Sequence, residues 1–408
     1  MKGHSASAQP SKPAFARVVV IPSWFPNNAQ PHFGSFVLEQ VRALAATYQN
    51  TEWHVIAPDG APEWLSARRP IAGLLSYFRS RRHATESPVD EDGNVFIHRV
   101  QAMQSSSVMG MLGFAPYKRI VAISLKRIER RFGAIDLLHV HGCYPAGLVV
   151  SNLKPARRWV MTEHQSPFPF DELRTADGAL WPELRAVFQG TSATIAVSRS
   201  HADDIERLTS VRPVVIPNLC DESVFQPGQT IPEQPYTFLT IGGLTRQKGI
   251  DVLLTAIAEF RSRGGKARFR IVGTGPLESQ LRAQADALGV ADLVEWCGSV
   301  SRNDLPEVFR SAHAFVLPSR HESFGVVYIE ALASGLPIIA TRCGGPEDIV
   351  HPGNGVLVPV DDHHALADAM LAMVDADYDA ESIREDFLVR FARAPVCRQI
   401  MSLYESLG

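Results

Sequence analysis

Short apolar, β-branched runs alternate with helical patterns along nearly the whole chain. In the first half the runs are Val18–Ile21, His54–Ala57, Val95–Val100, Leu137–Val140, Trp159–Thr162, Thr194–Val197 and Val214–Ile216. In the second half they are Thr237–Ile241, Phe269–Val272, Val294–Trp296, Ala314–Leu317, Pro337–Ala340 and Val356–Val358. Between them apolar residues recur at helical spacing, as in Phe36, Val37, Val41 and Leu44 and across Val252–Phe260, Leu277–Leu288 and Leu366–Val374. Strands this apolar need cover on both faces. With a helix after each, they predict parallel sheets between helical layers, an α/β architecture.

The Pro- and Gln-rich stretch Asp221–Pro235 separates two such sets. The pattern therefore predicts two Rossmann-like, doubly wound domains, 14–218 and 219–387, facing a central cleft. Residues 388–408 are expected to form a helix returning toward the first domain. A length of 408 residues agrees, since one hydrophobic core rarely serves so many. In doubly wound sheets ligands sit beyond the carboxyl ends of the strands, so a ligand in the cleft would touch loops from both domains.

No run approaches 18 uninterrupted apolar residues, which argues against a spanning helix. The first 16 residues lack the apolar segment of a signal peptide. Five scattered cysteines, with no CxxC, favour reduced thiols over a zinc site or disulfide framework. A cytoplasmic protein is the expectation. Residues 1–218 carry 24 Lys and Arg against 18 Asp and Glu, a net +6, whereas 219–408 carry 16 against 25, a net −9. The basic half could face an anionic surface such as phospholipid or lipid-pyrophosphate, or the split could be compositional. Between Pro70 and Arg82, an apolar stripe of Ile71, Leu74, Leu75 and Phe78 is flanked by arginines. It reads either as a surface helix or as a peripheral membrane contact.

The densest chemistry lies in SRHESFGVVYIEALASGLPIIATRCGGPEDIV (319–350). A strand runs into a loop bearing Glu322, and a helix starting near Phe324 carries Glu330. The free N–H groups of Phe324, Gly325 and Val326 would bind a phosphate at the positive end of that helix. Glu330 could accept hydrogen bonds from both hydroxyls of a ribose, and Glu322 from a sugar beyond the phosphates. With 22 Glu in the chain, about one pair eight apart is expected by chance, so the surrounding strand, Gly and helix carry the weight.

With these residues in place, the chain resembles the retaining GT-B glycosyltransferases of family 4 (glycosyltransferase group 1), of the bacterial exopolysaccharide and lipopolysaccharide type. Glu322 and Glu330 look like the two glutamates of that family's E-x7-E motif. IGGLTRQKGIDVLLTAIA (241–258) resembles its phosphate-binding loop, VVIPNLCDESVFQP (214–227) its interdomain segment, and IPSWFP followed by FGSFVLEQ its opening. The resemblance implies that Lys248 meets the charge growing on the pyrophosphate. Arg246 stands nearest to the second cation many relatives carry where this chain has Gly243. Gly34 would let backbone approach the donor from the opposite side, and His164, after the fifth strand, would hydrogen-bond the sugar or the incoming hydroxyl. His141 and Ser198 are acceptor-side candidates.

His139 and His141 share one side of a strand, but no third metal ligand has suitable spacing. No loop presents the Asp-x-Asp of metal-dependent transferases, and Asp375-Ala-Asp377 sits in an acidic C-terminal stretch. No metal or other cofactor is therefore expected. GTGPLE at Gly273 is not a full dinucleotide-binding fingerprint. The expected activity is transfer of a sugar from a UDP- or GDP-type donor to a hydroxyl of a glycan or lipid-linked glycan, with retention. Nucleic acid is not an expected partner. The rivals are a sugar-nucleotide epimerase of the same fold and a non-catalytic nucleotide-sugar-binding subunit.

Overall fold

The computed structural model describes residues 15–27, 33–60, 89–102, 110–228 and 235–408. The stretch 70–82 lies outside them, as do residues 1–14. Strands β1 (Arg17–Pro22), β2 (Glu52–Gly60), β3 (Val89–Asp92), β4 (Val95–Ala102), β5 (Leu137–His141), β6 (Trp159–Glu163), β7 (Ala193–Ala196) and β8 (Val214–Val215) form one sheet. Its order is β3-β4-β2-β1-β5-β6-β7-β8. A second sheet contains β9 (Thr237–Ile241), β10 (Arg268–Val272), β11 (Val294–Gly298), β12 (Ala314–Leu317), β13 (Ile338–Thr341) and β14 (Gly355–Val358), in the order β11-β10-β9-β12-β13-β14.

Every pairing is parallel except β3 with β4. The central strands are buried along their whole length: β1, β5, β6, β12 and β13 expose nothing on either face. Helices cover both sides, as a two-faced apolar strand requires. The order reverses beside β1 in the first sheet and beside β9 in the second. These are the switch points where loops diverge and leave room for a ligand.

Two details differ from the sequence pattern. The antiparallel strand β3 reads VDED, whose charges suit an exposed edge but hide its strand character. The segment 221–235 is also not a free linker in its described part. Phe225 is wholly buried in the second core, and Arg384 donates to the carbonyls of Phe225, Glu222 and Ala333. The chain crosses between domains instead at two adjacent places. Cys220 N–H donates to Phe391 O at 3.0 Å, and Arg393 pairs with Asp221 and Glu222. The last helix, Arg393–Ser406, packs Val396, Cys397, Ile400, Met401 and Tyr404 against the core beneath β1 and β2.

Candidate functional site

The loop after β9 turns through a single 3-10 turn, Arg246–Lys248, and enters helix α1 (Ile250–Ser262). Gly249 makes that entry possible. Its φ is +65°, and a Cβ there would stand 2.0 Å from Pro318 O at the end of β12. The close approach brings the Lys248 loop against the loop that carries Glu322. Lys248 Nζ donates to Glu322 Oε1 at 2.5 Å, and Ser319 Oγ donates to the same oxygen at 2.8 Å. Glu322 is 6% exposed, so the pair sits at the cleft wall with the lysine as its open side.

Gly325, at φ +90°, begins helix α2 (Val326–Ala333); a Cβ there would collide with the Tyr328 ring. Among the described residues, the N–H groups of Phe324, Gly325 and Val326 donate to no protein acceptor. Donors without acceptors at a helix start suit an anion. The Phe324 side chain points away into the second core, so only its backbone serves the site. Glu330, one turn along α2, is 4% exposed and burial raises its carboxyl pKa against the pull of Arg302. Arg302, from the loop after β11, forms an ion pair with Glu330 and donates to Glu39 Oε1 of the first domain at 2.7 Å. Arg246 is exposed on the same turn as Lys248, and among the described residues no carboxylate pairs with it.

The first domain contributes the loop after β6. His164 packs at a tilt against Phe36 with centroids 4.6 Å apart, its Nε2 lies 3.0 Å from His141 Nδ1, and its Nδ1 is buried without a hydrogen-bond partner among the described residues. Burial is the main cause holding the imidazole pKa well below its ordinary value, with His201 and His139 adding to it. His164 is therefore neutral across the physiological range, able to donate or accept one hydrogen bond but not to carry charge.

Three expectations change in the folded chain. His141 is 1% exposed and stands behind His164, so it cannot touch an acceptor; it orients His164 instead. Ser198 is fully buried: its Oγ accepts from His201 N–H and donates to Ser323 O at 2.6 Å, so it caps a helix and joins the domains rather than lining the cleft. Gly34 has φ +74°, and the space beside it is filled by Trp24 O, 2.5 Å from where a Cβ would stand. Its lack of a side chain therefore serves the turn into the helix Ser35–Thr47 rather than an opening for ligand. Glu163, next to His164, is wholly buried and accepts from the N–H groups of Cys143, His164 and Gln165, so it braces the loop.

Sequence reasoning did not find the polar contacts that join the domains beside the site. Ser166 Oγ bonds His321 Nδ1 at 2.9 Å and accepts from Ser323 N–H, while Ser323 Oγ donates to His164 O. Gln247, beside Lys248, donates to Ser166 Oγ and His321 O. These residues bring the Lys248, Glu322 and His164 loops together. Only the polar cast of EHQSPF and SRHESFG hinted at them. His139 is no metal ligand here: its two nitrogens meet Thr162 and Tyr404. Among the described residues, one group offers three potential ligands, Glu259, His363 and His364. It lies at the far end of α1 from Lys248, where Glu259 already pairs with His364 and Arg263.

Two family models match this chain: Glycosyltransferase Family 4 over residues 33–224 and Glycosyl transferases group 1 over residues 221–386. The chain is 31% identical over 278 residues to a D-inositol 3-phosphate glycosyltransferase of Thermobifida fusca (strain YX), covering 60% of this chain and 63% of that protein. It is 30% identical over 188 residues to the putative colanic acid biosynthesis glycosyltransferase WcaL of Salmonella typhimurium, covering 43% of this chain and 46% of that one. The chain thus spans less than two thirds of either relative's length. The fold is similar to that of the sucrose-phosphate synthase of Thermosynechococcus elongatus, with a TM-score of 0.74 and 19% identity over 96% of this chain and 99% of that one. Two domain models that meet at the observed crossing, on two parallel sheets facing one cleft, place this chain among the group 1, family 4 glycosyltransferases with the GT-B fold.

Proposed function

We propose that this protein transfers a sugar from a nucleoside diphosphate donor, of UDP or GDP type, to a hydroxyl of a glycan or lipid-linked glycan. The anomeric configuration is retained, and the setting is cell-envelope or exopolysaccharide synthesis at the cytoplasmic face of a membrane. Among the described residues no helix is long and apolar enough to cross a membrane, so contact with anionic lipid would be peripheral. The observation that carries the reading is the Lys248–Glu322 pair beside unpaired helix-start N–H groups, held against the neutral His164 of the other domain.

In this reading the diphosphate lies at the start of α2, with Lys248 and Arg246 facing the charge that grows as the sugar–phosphate bond breaks. These cations take the role that Mg²⁺ plays in metal-dependent transferases, so no cofactor is required. Glu330 receives the ribose and Glu322 the transferred sugar. His164 Nδ1, a buried group with no hydrogen-bond partner among the described residues, bonds the sugar or the incoming hydroxyl. With Glu163 buried as a brace, no acceptor-side carboxylate among the described residues is in place as a base, which supports proton transfer from the acceptor to the leaving phosphate on one face of the sugar.

NMR of the product anomer, after turnover with UDP-, GDP- and ADP-sugars, tests the reading. Retention is expected; inversion would overturn the mechanism, and free sugar formed without an acceptor would favour an epimerase.

A further inference from the structure

Arg302 is the only described residue that pairs at once with a site carboxylate and with a carboxylate of the opposite domain. Its guanidinium forks between Glu330 on α2 and Glu39 on the helix Ser35–Thr47, and its face lies 5.0 Å from the centroid of Phe225. A planar fork with fixed donors suits such a bridge; an ammonium would reach one carboxylate or the other. With both carboxylates ionised the three groups carry a net −1, at a place where Glu330 is nearly buried and the side chains of Glu39 and Arg302 are 21% and 30% exposed. One oxygen of Glu39, Oε2, is buried with no hydrogen-bond partner among the described residues.

We propose that Arg302 and Glu39 are positioning residues of the donor site: Arg302 keeps Glu330 ionised and aimed at the ribose diol, and Glu39 ties that pair to the first domain as the cleft closes. The proposal rests on the donor-site reading above. Burial favours the protonated form of Glu330, and a neutral acid is a poorer acceptor for two hydroxyls than a carboxylate. Arg302 opposes that drift while occupying one oxygen and leaving the other for the ligand.

Closure has a second consequence. Glu39 reaches Arg302 across the domain boundary, and burial there pushes its pKa up to about 7 from 4.5, against the pull of Arg302 and with the help of Glu330 and Asp221. Among the described residues the other charged groups around it are Arg42 on its own helix, Asp92 at the end of β3 and Arg393 on the last helix. Arg42 and Asp92 lie 3.4 Å apart, and Arg393 is held by Asp221 and Glu222. An opening that parts Glu39 from Arg302 would return it toward water and an ordinary carboxylate pKa. The closed state therefore holds its proton more tightly than the open one. By linkage, closure weakens as pH rises from about 4.5 to 7 and is level above that range.

The test is calorimetric binding of UDP and of GDP to the full chain at pH 5.5 and 8.5, for wild type, Glu39→Gln, Arg302→Met and Arg302→Lys. Arg302→Met is expected to weaken binding about tenfold or more, and Arg302→Lys to restore only part of it. The nucleotide's terminal phosphate titrates in the same range, so for Glu39 the readout is the ratio of wild type to variant at each pH. Glu39→Gln mimics the protonated carboxyl and should gain on wild type as pH rises, with a ceiling of roughly 30-fold between the two pH values. A constant ratio, or Arg302→Met binding like wild type, overturns the proposal. Glu39→Gln is isosteric and keeps the test open if Arg302→Met does not fold. If wild type binds neither nucleotide, the donor-site reading itself fails, and this proposal falls with it.

Discussion

The two domains have similar sheets but handle buried charge in opposite ways. The first buries histidines and keeps them neutral. His54, His98, His139 and His201 have pKa values lowered to about 3, chiefly by burial, and His141 and His164 lie well below the ordinary value. The second buries carboxylates and gives each a cation: Glu322 has Lys248, and Glu330 has Arg302. A neutral imidazole costs little to bury and supplies directed hydrogen bonds. A buried carboxylate needs compensation: a positive charge for these two, and three backbone N–H groups for Glu163 of the first domain. Chemistry that handles a growing negative charge would draw on the second kind of site, and precise placement of an uncharged hydroxyl on the first.

Acid should separate the domains most strongly. A histidine whose folded pKa is depressed favours folding above its unfolded pKa and loses that contribution as pH falls through it. Between pH 6.5 and 5 the first domain should lose several kcal/mol, with each histidine near 3 contributing at most about 2 kcal/mol. Hydrogen exchange at pH 5 should show β4, β5 and β6 losing protection before β9–β13, and equal loss in both sheets would break the comparison. Next in size is Lys248→Ala, which removes the cation from Glu322 and should lower kcat about 10²–10³-fold. Steady-state kinetics would show it, and a change confined to KM would move Lys248 out of the bond-breaking role.

Glu330→Gln should act mainly on donor binding, raising donor KM roughly 10-fold with little change in kcat, whereas Glu322→Gln should act mainly on kcat. Matching effects from the two would remove the separate ribose and sugar roles. The smallest effect belongs to Ser198→Ala. It loses a helix cap and the bond to Ser323 O, which should cost about 1–2 kcal/mol in thermal unfolding with the donor site otherwise intact.

The same contrast explains what was legible in the chain. Apolar runs placed thirteen of the fourteen strands among the described residues, because strands buried on both faces have little other chemistry to display; the charged edge strand Val89–Asp92 escaped. Lys248 and Glu322 were visible because each sits in a local strand–loop–helix pattern. Arg302 and Glu39 were not, since they meet across 263 residues of sequence and neither has a local signature. His141 and Ser198 were visible as residue types but misplaced in role, because whether a polar side chain faces a cleft or a neighbour is decided by packing. Phe225 shows the converse: an apolar residue in the polar run DESVFQP anchors a segment whose composition suggested a loose connection.

The most direct measurement is release of nucleoside diphosphate from UDP-, GDP- and ADP-sugars in EDTA, with wild type and Lys248→Ala side by side. One donor turning over without metal in the wild type, and about 10²–10³-fold more slowly in the variant, is the predicted result. Binding of a donor with no release by either protein would contradict it and point to a non-catalytic nucleotide-sugar-binding subunit.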